Sequence, residues 1–408
     1  MASARRVVRR FQTGSDFATG FSLGVAARAE QGPIDGRNLR HARDLALQTV
    51  SDSGLFCPLS ARAVGVGSGV NLKELSEHLG LSKTTVSRAL NGFSDVNEET
   101  RKRVVEAAKQ LGYTPNANAQ RLATGRTDTF GIVFPLAGDR LADPMFSEFV
   151  AGVADGAAHC GRGLYVLSAT DGEETCYRRL AHNKVVDALI LTDMKVEDLR
   201  VRLLSHLGQQ CVCYGRTASS IPYAHFDLDH EAAFRRAGEL LIGLGHRRIA
   251  LLNGDVRFTI AEHRHVGWVS AFRRAKLAVP EDLLACGAMS EEAGYKAMRR
   301  LLGKSEPPSA VICACMFLAA GAVRAIRDAG LQVGRDISLV AHDDGLSVIR
   351  PEAYDPPLTT TYASVRAAGA RVAEMAAAVA DGAEIATVKD IRPVDLIFRD
   401  SAQPLRAK

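Results

Sequence analysis

The chain reads as an α/β protein in which a small all-α helix-turn-helix module precedes a two-lobed body of doubly wound parallel sheets. Three observations predict this. A short polar helix, LSKTTVSRALN, follows an amphipathic helix across a Gly–Leu turn. From Thr129 onward, short apolar runs rich in Val, Ile and Leu alternate with helical stretches, the pattern of parallel strands joined by crossover helices. The 408 residues exceed what one such lobe requires, so two lobes with a cleft between them fit the length.

Composition narrows the class. Hydrophobic residues make up 47% and charged residues 24% of the chain, the balance of an ordinary globular protein. No run approaches the ~18 apolar residues a membrane helix needs, so no membrane partner is expected. Eight cysteines without a short disulfide-scaffold spacing fit a reduced, cytoplasmic protein. Charge is divided unevenly: residues 1–70 carry +4 and residues 71–126 carry +3 of a net +5, leaving −2 on the rest. A basic module on a slightly acidic body suits a polyanionic partner, because phosphate neutralisation drives most non-specific DNA affinity.

Residues 1–69 open Arg-rich and Lys-free. The apolar part is broken by Gly, Thr and Ser and never forms the roughly 7–15-residue core of a targeting peptide. Periodicity stays poor up to Gly69, apart from a short helix near Leu39–Val50. A poorly ordered extension is expected, with the natural start near Val70.

Residues 70–115 are the expected reading head. Leu72, Leu75 and Leu79 recur at helical spacing and Gly80 ends that helix. Ser82 is an N-cap whose hydroxyl suits an amide of the next turn. Val86, Ala89 and Leu90 then face inward, leaving Lys83, Thr84, Ser87 and Arg88 outside, where a recognition helix meets base edges. Asn91 and Gly92 close it. A third helix begins after Asn97, with Glu98 and Glu99 in its first turn as the dipole favours, and runs through Val104, Val105, Ala108 and Leu111. Residues 116–127 follow as a linker with one short helix. Leu122, apolar on a basic segment, is either an interdomain packing residue or a wedge for the minor groove.

The ordered set V-S-R-A-L-N-G, V-x-x-E-T-R-x-R-V-x-x-A, L-G-Y-x-P-N-A and R-L-A-T-G-R-T-x-x-F-G-I-V-x-P resembles the lac repressor/galactose repressor family. The resemblance implies that Lys83, Thr84 and Arg88 read bases and that Leu122 is the wedge when two subunits pair. It makes Ser82, Thr85, Ser87, Asn91, Tyr113 and Asn116 further DNA contacts. Ser76 departs from the family's usual Ala.

The likeness continues over residues 128–408 in L-G-H-R-R-I-A, S-E-E-A-G-Y-x-A, L-x-V-G-R-D-I-S-L-V-A-H-D-D and D-P-P-L-T-T. It implies a periplasmic-binding-protein-like effector and dimerisation domain. By motif, Arg264 and Asp343 contact the effector, and Asp143, Met145 and Phe146 line the first lobe's side of the cleft. Asp and Arg suit paired hydrogen bonds to sugar hydroxyls, and Phe146 or Trp268 could cover a ring face. An interlobe salt bridge is the plain alternative for Arg264 and Asp343, and Trp268 serves equally as core. Relatives carry A-N-D where this chain has Ala314, Cys315 and Met316, so Cys315 stands at an altered ligand position. The stretches DPMFSEFVAGVADG and HFDLDHEAAFRRA are similar to those of alpha-glucoside utilisation repressors.

Other chemistry is set aside. His225, Asp227, Asp229 and His230 alternate faces at strand spacing, which reads as a strand-to-helix junction rather than a metal site. Cys211/Cys213 and Cys313/Cys315 are C-x-C pairs on strands and read as small core residues, since zinc knuckles favour C-x₂₋₄-C on turns. No nucleophile elbow or phosphate-cradling glycine loop is present. No catalytic residue, metal or cofactor is expected. The expected function is a sequence-specific repressor, homodimeric with a tetramer left open, that binds near-palindromic operator DNA and is relieved by a sugar or alpha-glucoside. A co-repressor mechanism is the nearest alternative. A sugar-binding transport protein and an α/β enzyme are the rivals from other classes.

Overall fold

The computed structural model describes residues 70–113, 125–135 and 142–406. Every described residue belongs to one compact unit that begins at Val70. Asn116, Leu122 and the expectations for the first 69 residues lie outside the described residues.

The reading head has three helices: α1 (Leu72–Leu79), α2 (Lys83–Leu90) and α3 (Glu98–Gln110). Asn71 caps α1, accepting from the amides of Lys73 (2.9 Å) and Glu74 (3.1 Å), while Glu74 accepts from the Asn71 amide in return. Gly80 follows at φ 64°, a left-handed conformation that turns the chain toward α2 without strain. Leu75, Val86, Ala89, Val104, Ala107 and Ala108 form the buried centre. Val105 is 50% exposed, because helical spacing gives Val104, Ala107 and Ala108 the inner face. Ser76 is buried, yet its hydroxyl donates to Lys73 O at 2.7 Å, so the polar atom stays satisfied.

Two six-stranded sheets follow. Lobe 1 contains β1 (Thr129–Pro135), α4 (Pro144–His159), β2 (Gly163–Ala169), α5 (Glu173–His182), β3 (Ala188–Leu191), α6 (Leu199–His206), β4 (Gln210–Tyr214) and β5 (Ala224–Leu228). The chain then crosses to lobe 2: α7 (His230–Gly243), β6 (Ile249–Asn253), α8 (Thr259–Arg274), β7 (Leu284–Cys286), α9 (Glu291–Leu302), β8 (Ala310–Cys313), α10 (Met316–Asp328), β9 (Ser338–Asp343) and β10 (Thr359–Tyr362). It returns through α11 (Val365–Ala380) and β11 (Lys389–Arg392) and crosses again to β12 (Asp395–Ile397). The orders are β11-β5-β4-β3-β1-β2, all parallel, and β12-β10-β9-β8-β6-β7, parallel except for β12. Strands β7, β10, β11 and β12 were not expected. β7 and β12 have only three residues, and β10 (TTTY) and β11 (KDIR), though as long as β3 and β8, carry no apolar run.

The HFDLDHE stretch is the junction the sequence indicated. It runs out of β5, Asp229 caps α7 by accepting from the Ala232 amide at 2.9 Å, and α7 enters the other lobe. Cys211 and Cys213 are core residues of β4, and Cys313 is one of β8. Cys315 has left the strand and caps α10, so the second C-x-C pair does not share a strand face. Among the described residues no helix is long and apolar enough to cross a membrane.

Helices α4 and α11 touch backbone to backbone. A methyl group on Gly152 or Gly156 would run into the carbonyls of Arg366 or Ala370, and one on Gly369 would meet that of Phe149. Arg366 reinforces the contact through Glu148 at 3.1 Å and Asp155 at 2.8 Å. Gly369→Ala is expected to cost about 1–3 kcal/mol through overpacking, seen as a lower melting temperature; an unchanged melt would mean the helices separate freely.

Candidate functional site

Two sites emerge, one on the reading head and one between the lobes. On the head, Ser82 Oγ accepts from the Thr85 amide at 3.0 Å and meets Thr85 Oγ1 at 2.8 Å, fixing the first turn of α2. Lys83 and Thr84 are exposed beside that turn. Ser87 and Asn91 are half-buried and joined, Asn91 Nδ2 donating to Ser87 Oγ at 3.3 Å. Arg88 is held more firmly than its sequence position suggests. Its guanidinium forks onto Asp95 (Nε–Oδ1 3.1 Å, Nη2–Oδ2 2.7 Å) and lies 4.7 Å from the Phe93 ring centroid. Asp95 and Phe93 lie past the end of α2, so no helical spacing links them to Arg88. Tyr113 packs partly against the head's core, and burial raises its phenol pKa.

Between the lobes lies a cavity of about 950 Å³, at the upper end of the roughly 300–1,000 Å³ range of ligand pockets. Lobe 1 contributes the N-terminus of α4. Asp143 caps it by accepting from the Met145 amide at 3.0 Å, and Met145 and Phe146 face the cavity. Behind them Phe149 stacks on Tyr214 with centroids 4.7 Å apart. Lobe 2 contributes the N-terminus of α8, whose Arg264 is 0% exposed. Among the described residues none hydrogen-bonds to the three Arg264 guanidinium nitrogens; its neighbours are the Phe234 ring at 5.4 Å and the charge of Asp344. Burial lowers the Arg264 pKa and Asp344 opposes that shift. His230 Nδ1 and Thr259 Oγ1, both buried and both from cavity-lining residues, are likewise unpartnered. Arg216 also lines the cavity, pairing with Asp227 at 2.6 Å. Among the described residues, five aspartates (143, 193, 227, 255 and 344) face two arginines (216 and 264) around the cavity. The lobes also meet directly: the Thr259 amide donates to Met194 O at 2.9 Å and the Val196 amide to Arg257 O at 3.2 Å.

Four expected cleft residues, Asp143, Met145, Phe146 and Arg264, thus come together. Three others do not. Asp343 ends β9 and turns away, its Oδ1 accepting from the Gly345 amide at 2.9 Å; Asp344, the next residue, faces the cavity instead. Successive residues leave a strand on opposite sides, which a motif match cannot resolve. Trp268 is 0% exposed, one turn deeper along α8 than Arg264, with Nε1 donating to Ile249 O at 3.3 Å. Cys315 is 1% exposed, with Sγ 4.0 Å from Met289 O and its thiol pushed up to about 11 by burial; Met289 and Phe317 line the cavity in its place. His230 and Thr259 were not foreseen as cleft residues, since nothing local separates them from helix-start residues.

A three-helix reading head joined to a two-lobed binding body defines a DNA-binding transcriptional regulator, with no catalytic machinery expected. The comparisons agree. Residues 71–116 match the profile of bacterial regulatory proteins of the lacI family, and residues 239–402 that of the periplasmic binding protein-like domain. The HTH-type transcriptional regulator AglR of Rhizobium meliloti (strain 1021) is 47% identical over 307 residues, 75% of this chain and 86% of the relative. The lac repressor dimer bound to operator and the anti-inducer ONPF superposes with a TM-score of 0.67 at 28% identity, over 82% of this chain and 99% of that one. The transcriptional regulator CelR in its cellobiose complex gives a TM-score of 0.62 at 27% identity, over 81% and 99%. The chain belongs to the LacI family of bacterial regulatory proteins.

A buried guanidinium without hydrogen bonds destabilises the fold unless a ligand completes it. Arg264→Met should therefore abolish ligand binding while melting no lower than the ligand-free parent; a fall of more than about 1–2 °C, on the order of 1 kcal/mol in a chain this size, would assign Arg264 to structure. The pH profile follows from His225, His230 and His246, all held below the usual histidine range by burial. With folded pKa values depressed, the unfolded chain takes up protons first, so their stability is present above about pH 6.5 and declines as pH falls. Melting temperatures recorded from neutral to acidic pH should drop below that point, and a flat profile would contradict the assignment.

Proposed function

We propose that this chain represses carbohydrate-utilisation genes and is released from operator DNA by a neutral sugar of at least disaccharide size, an alpha-glucoside being the first choice. The observation that carries the reading is Arg264, buried and unpartnered beside His230 Nδ1 and Thr259 Oγ1 in one cavity. Three dry polar groups at one place suit hydroxyls that both donate and accept. Phe146, Phe258 and Phe317 supply apolar faces for sugar rings. Among the described cavity residues the excess of aspartates over arginines disfavours a phosphorylated or carboxylate ligand. A cavity of about 950 Å³ leaves room for more than one ring. The size argument is supported by the cellobiose bound to the related CelR, and the alpha-glucoside choice by the sequence likeness already described.

On DNA, residues 70–115 act as the reading head, residues 116–127 as the linker and residues 128–408 as the effector and dimerisation domain. Lys83, Thr84 and Arg88 read bases, with Ser82, Thr85, Ser87, Asn91, Tyr113 and Asn116 on the backbone and Leu122 as the wedge. Two copies bind a near-palindrome with half-sites roughly one turn apart, as the operator-bound lac repressor dimer suggests.

Arg88→Ala should weaken operator binding by about 10- to 100-fold, the worth of one bidentate base contact, and leave sugar binding unchanged. Equal operator affinity in a gel shift would remove α2 from the recognition role. Operator titrations with and without maltose, cellobiose, raffinose and their monosaccharides test the effector. Release by a disaccharide and not by its monosaccharides is expected, whereas tighter operator binding would make the ligand a co-repressor.

A further inference from the structure

Helices α4 and α11 both start at the cleft and both end at the linker. At the cleft, α4 presents Met145, Phe146 and Phe149, and α11 presents Val365, whose amide donates to Asp344 O at 2.9 Å. At sixteen residues each, the helices span ~24 Å. Their far ends meet in a cluster of charges. Arg162, two residues beyond the α4 cap Cys160, is 9% exposed and reaches three carboxylates: Asp128 at 2.6 Å, Asp187 at 3.2 Å and Asp381, the α11 cap, at 2.7 Å. Asp187, 10% exposed, takes the chain arriving from the reading head. Its Oδ1 accepts from the Thr127 amide at 2.7 Å and hydroxyl at 2.9 Å, and its Oδ2 from the Asp128 amide at 2.8 Å. Arg126 grips the end of α11, donating to Ala380 O at 2.9 Å and to the Asp381 carboxylate. Asp128 sits at φ 49°, so the chain bends sharply where it is held.

We propose that α4 and α11 act as one rigid relay from cleft to linker, with Arg162, Asp187 and Asp381 as positioning residues that clasp residues 126–128 and so set the linker for operator binding. The proposal rests on the cleft being the effector site. The glycine contacts are what make a relay possible. With Gly152, Gly156 and Gly369 letting the two backbones touch, no layer of adaptable side chains lies between the helices. A shift of their N-terminal ends when a ligand fills the cleft therefore reaches Arg162 and Asp381 undamped. A clasp serving only to anchor β1 would need Asp187 and its two amides. The ends of both helices, and the reach of Arg126 across to α11, add nothing to that role.

The test uses the full chain with Asp381→Ala, Asp381→Glu and Asp187→Asn. Asp381 is half exposed, so its removal should leave the melting temperature unchanged. Hydrogen exchange at the Thr127 and Asp128 amides, read without sugar, should be slow in the parent and at least ~10-fold faster in Asp187→Asn and Asp381→Ala. In operator titrations with and without maltose, Asp381→Ala should bring the two affinities to within about twofold while maltose binding itself persists, and Asp381→Glu should restore part of the difference. An Asp381→Ala protein with parental exchange, or with the parental ratio of operator affinities, overturns the relay. If maltose and the other sugars leave the parent's operator affinity unmoved, the effector reading fails, and the clasp is judged on the exchange rates and on operator affinity alone, where no change in either overturns it.

Discussion

The return of α11 from the second lobe onto the first, where glycines on both helices let its backbone touch that of α4, is the contact on which the body depends. Because the chain crosses between the sheets at Asp229, at Ser364 and after Arg392, neither lobe is a continuous segment. Lobe 1 lacks its central helix until residue 380 has folded, and β11 joins β5 only afterwards. The cleft is therefore walled by pieces far apart in sequence: the α4 N-terminus, the α8 N-terminus and the start of α11.

Within that frame the cleft is chemically under tension. Arg264, fully buried without a hydrogen bond, sits where desolvation disfavours its charge. Its compensation comes from Asp344 and the face of Phe234, at a distance and without directed bonds. Such a group contributes little to stability on its own. It is better suited to recognising a polar ligand that enters a dry site, where each hydrogen bond is strong. The reading head shows the opposite economy: Asn71, Ser82 and Asn97 each cap a helix, and its single charge fork, Arg88 on Asp95, is open to solvent. One site waits for a partner in its interior and the other on its surface.

Local features proved readable to the extent that their physics is local. The caps at Ser82 and Asn97, the glycine stop at Gly80 and the apolar spacing of α1 and α2 depend only on near neighbours, and the structure has them where the spacing puts them. The buried strands β1, β3, β6, β8 and β9 were legible as apolar runs, whereas β7, β10, β11 and β12 owe their pairing to the sheets they join. Val105 shows the limit on the head, where helix phase rather than hydrophobicity decides what is buried.

The candidate cleft divides the same way. The family resemblance marked Asp143, Met145, Phe146 and Arg264, and the structure sets them in the first turns of two helices at the cavity, at the sheets' carboxyl edge where such folds bind ligands. Tertiary structure decided the rest. It chose Asp344 over Asp343 through the direction a residue takes on leaving β9, and sank Trp268 and Cys315 beneath the surface that Met289 and Phe317 present. It also brought Arg162, Asp187 and Asp381 from three separate loops to one point, which no spacing along the chain encodes. A sequence carries the identity of each charge and the period of each helix; which charges meet is set by how the lobes close on one another, and that depends on every crossing at once.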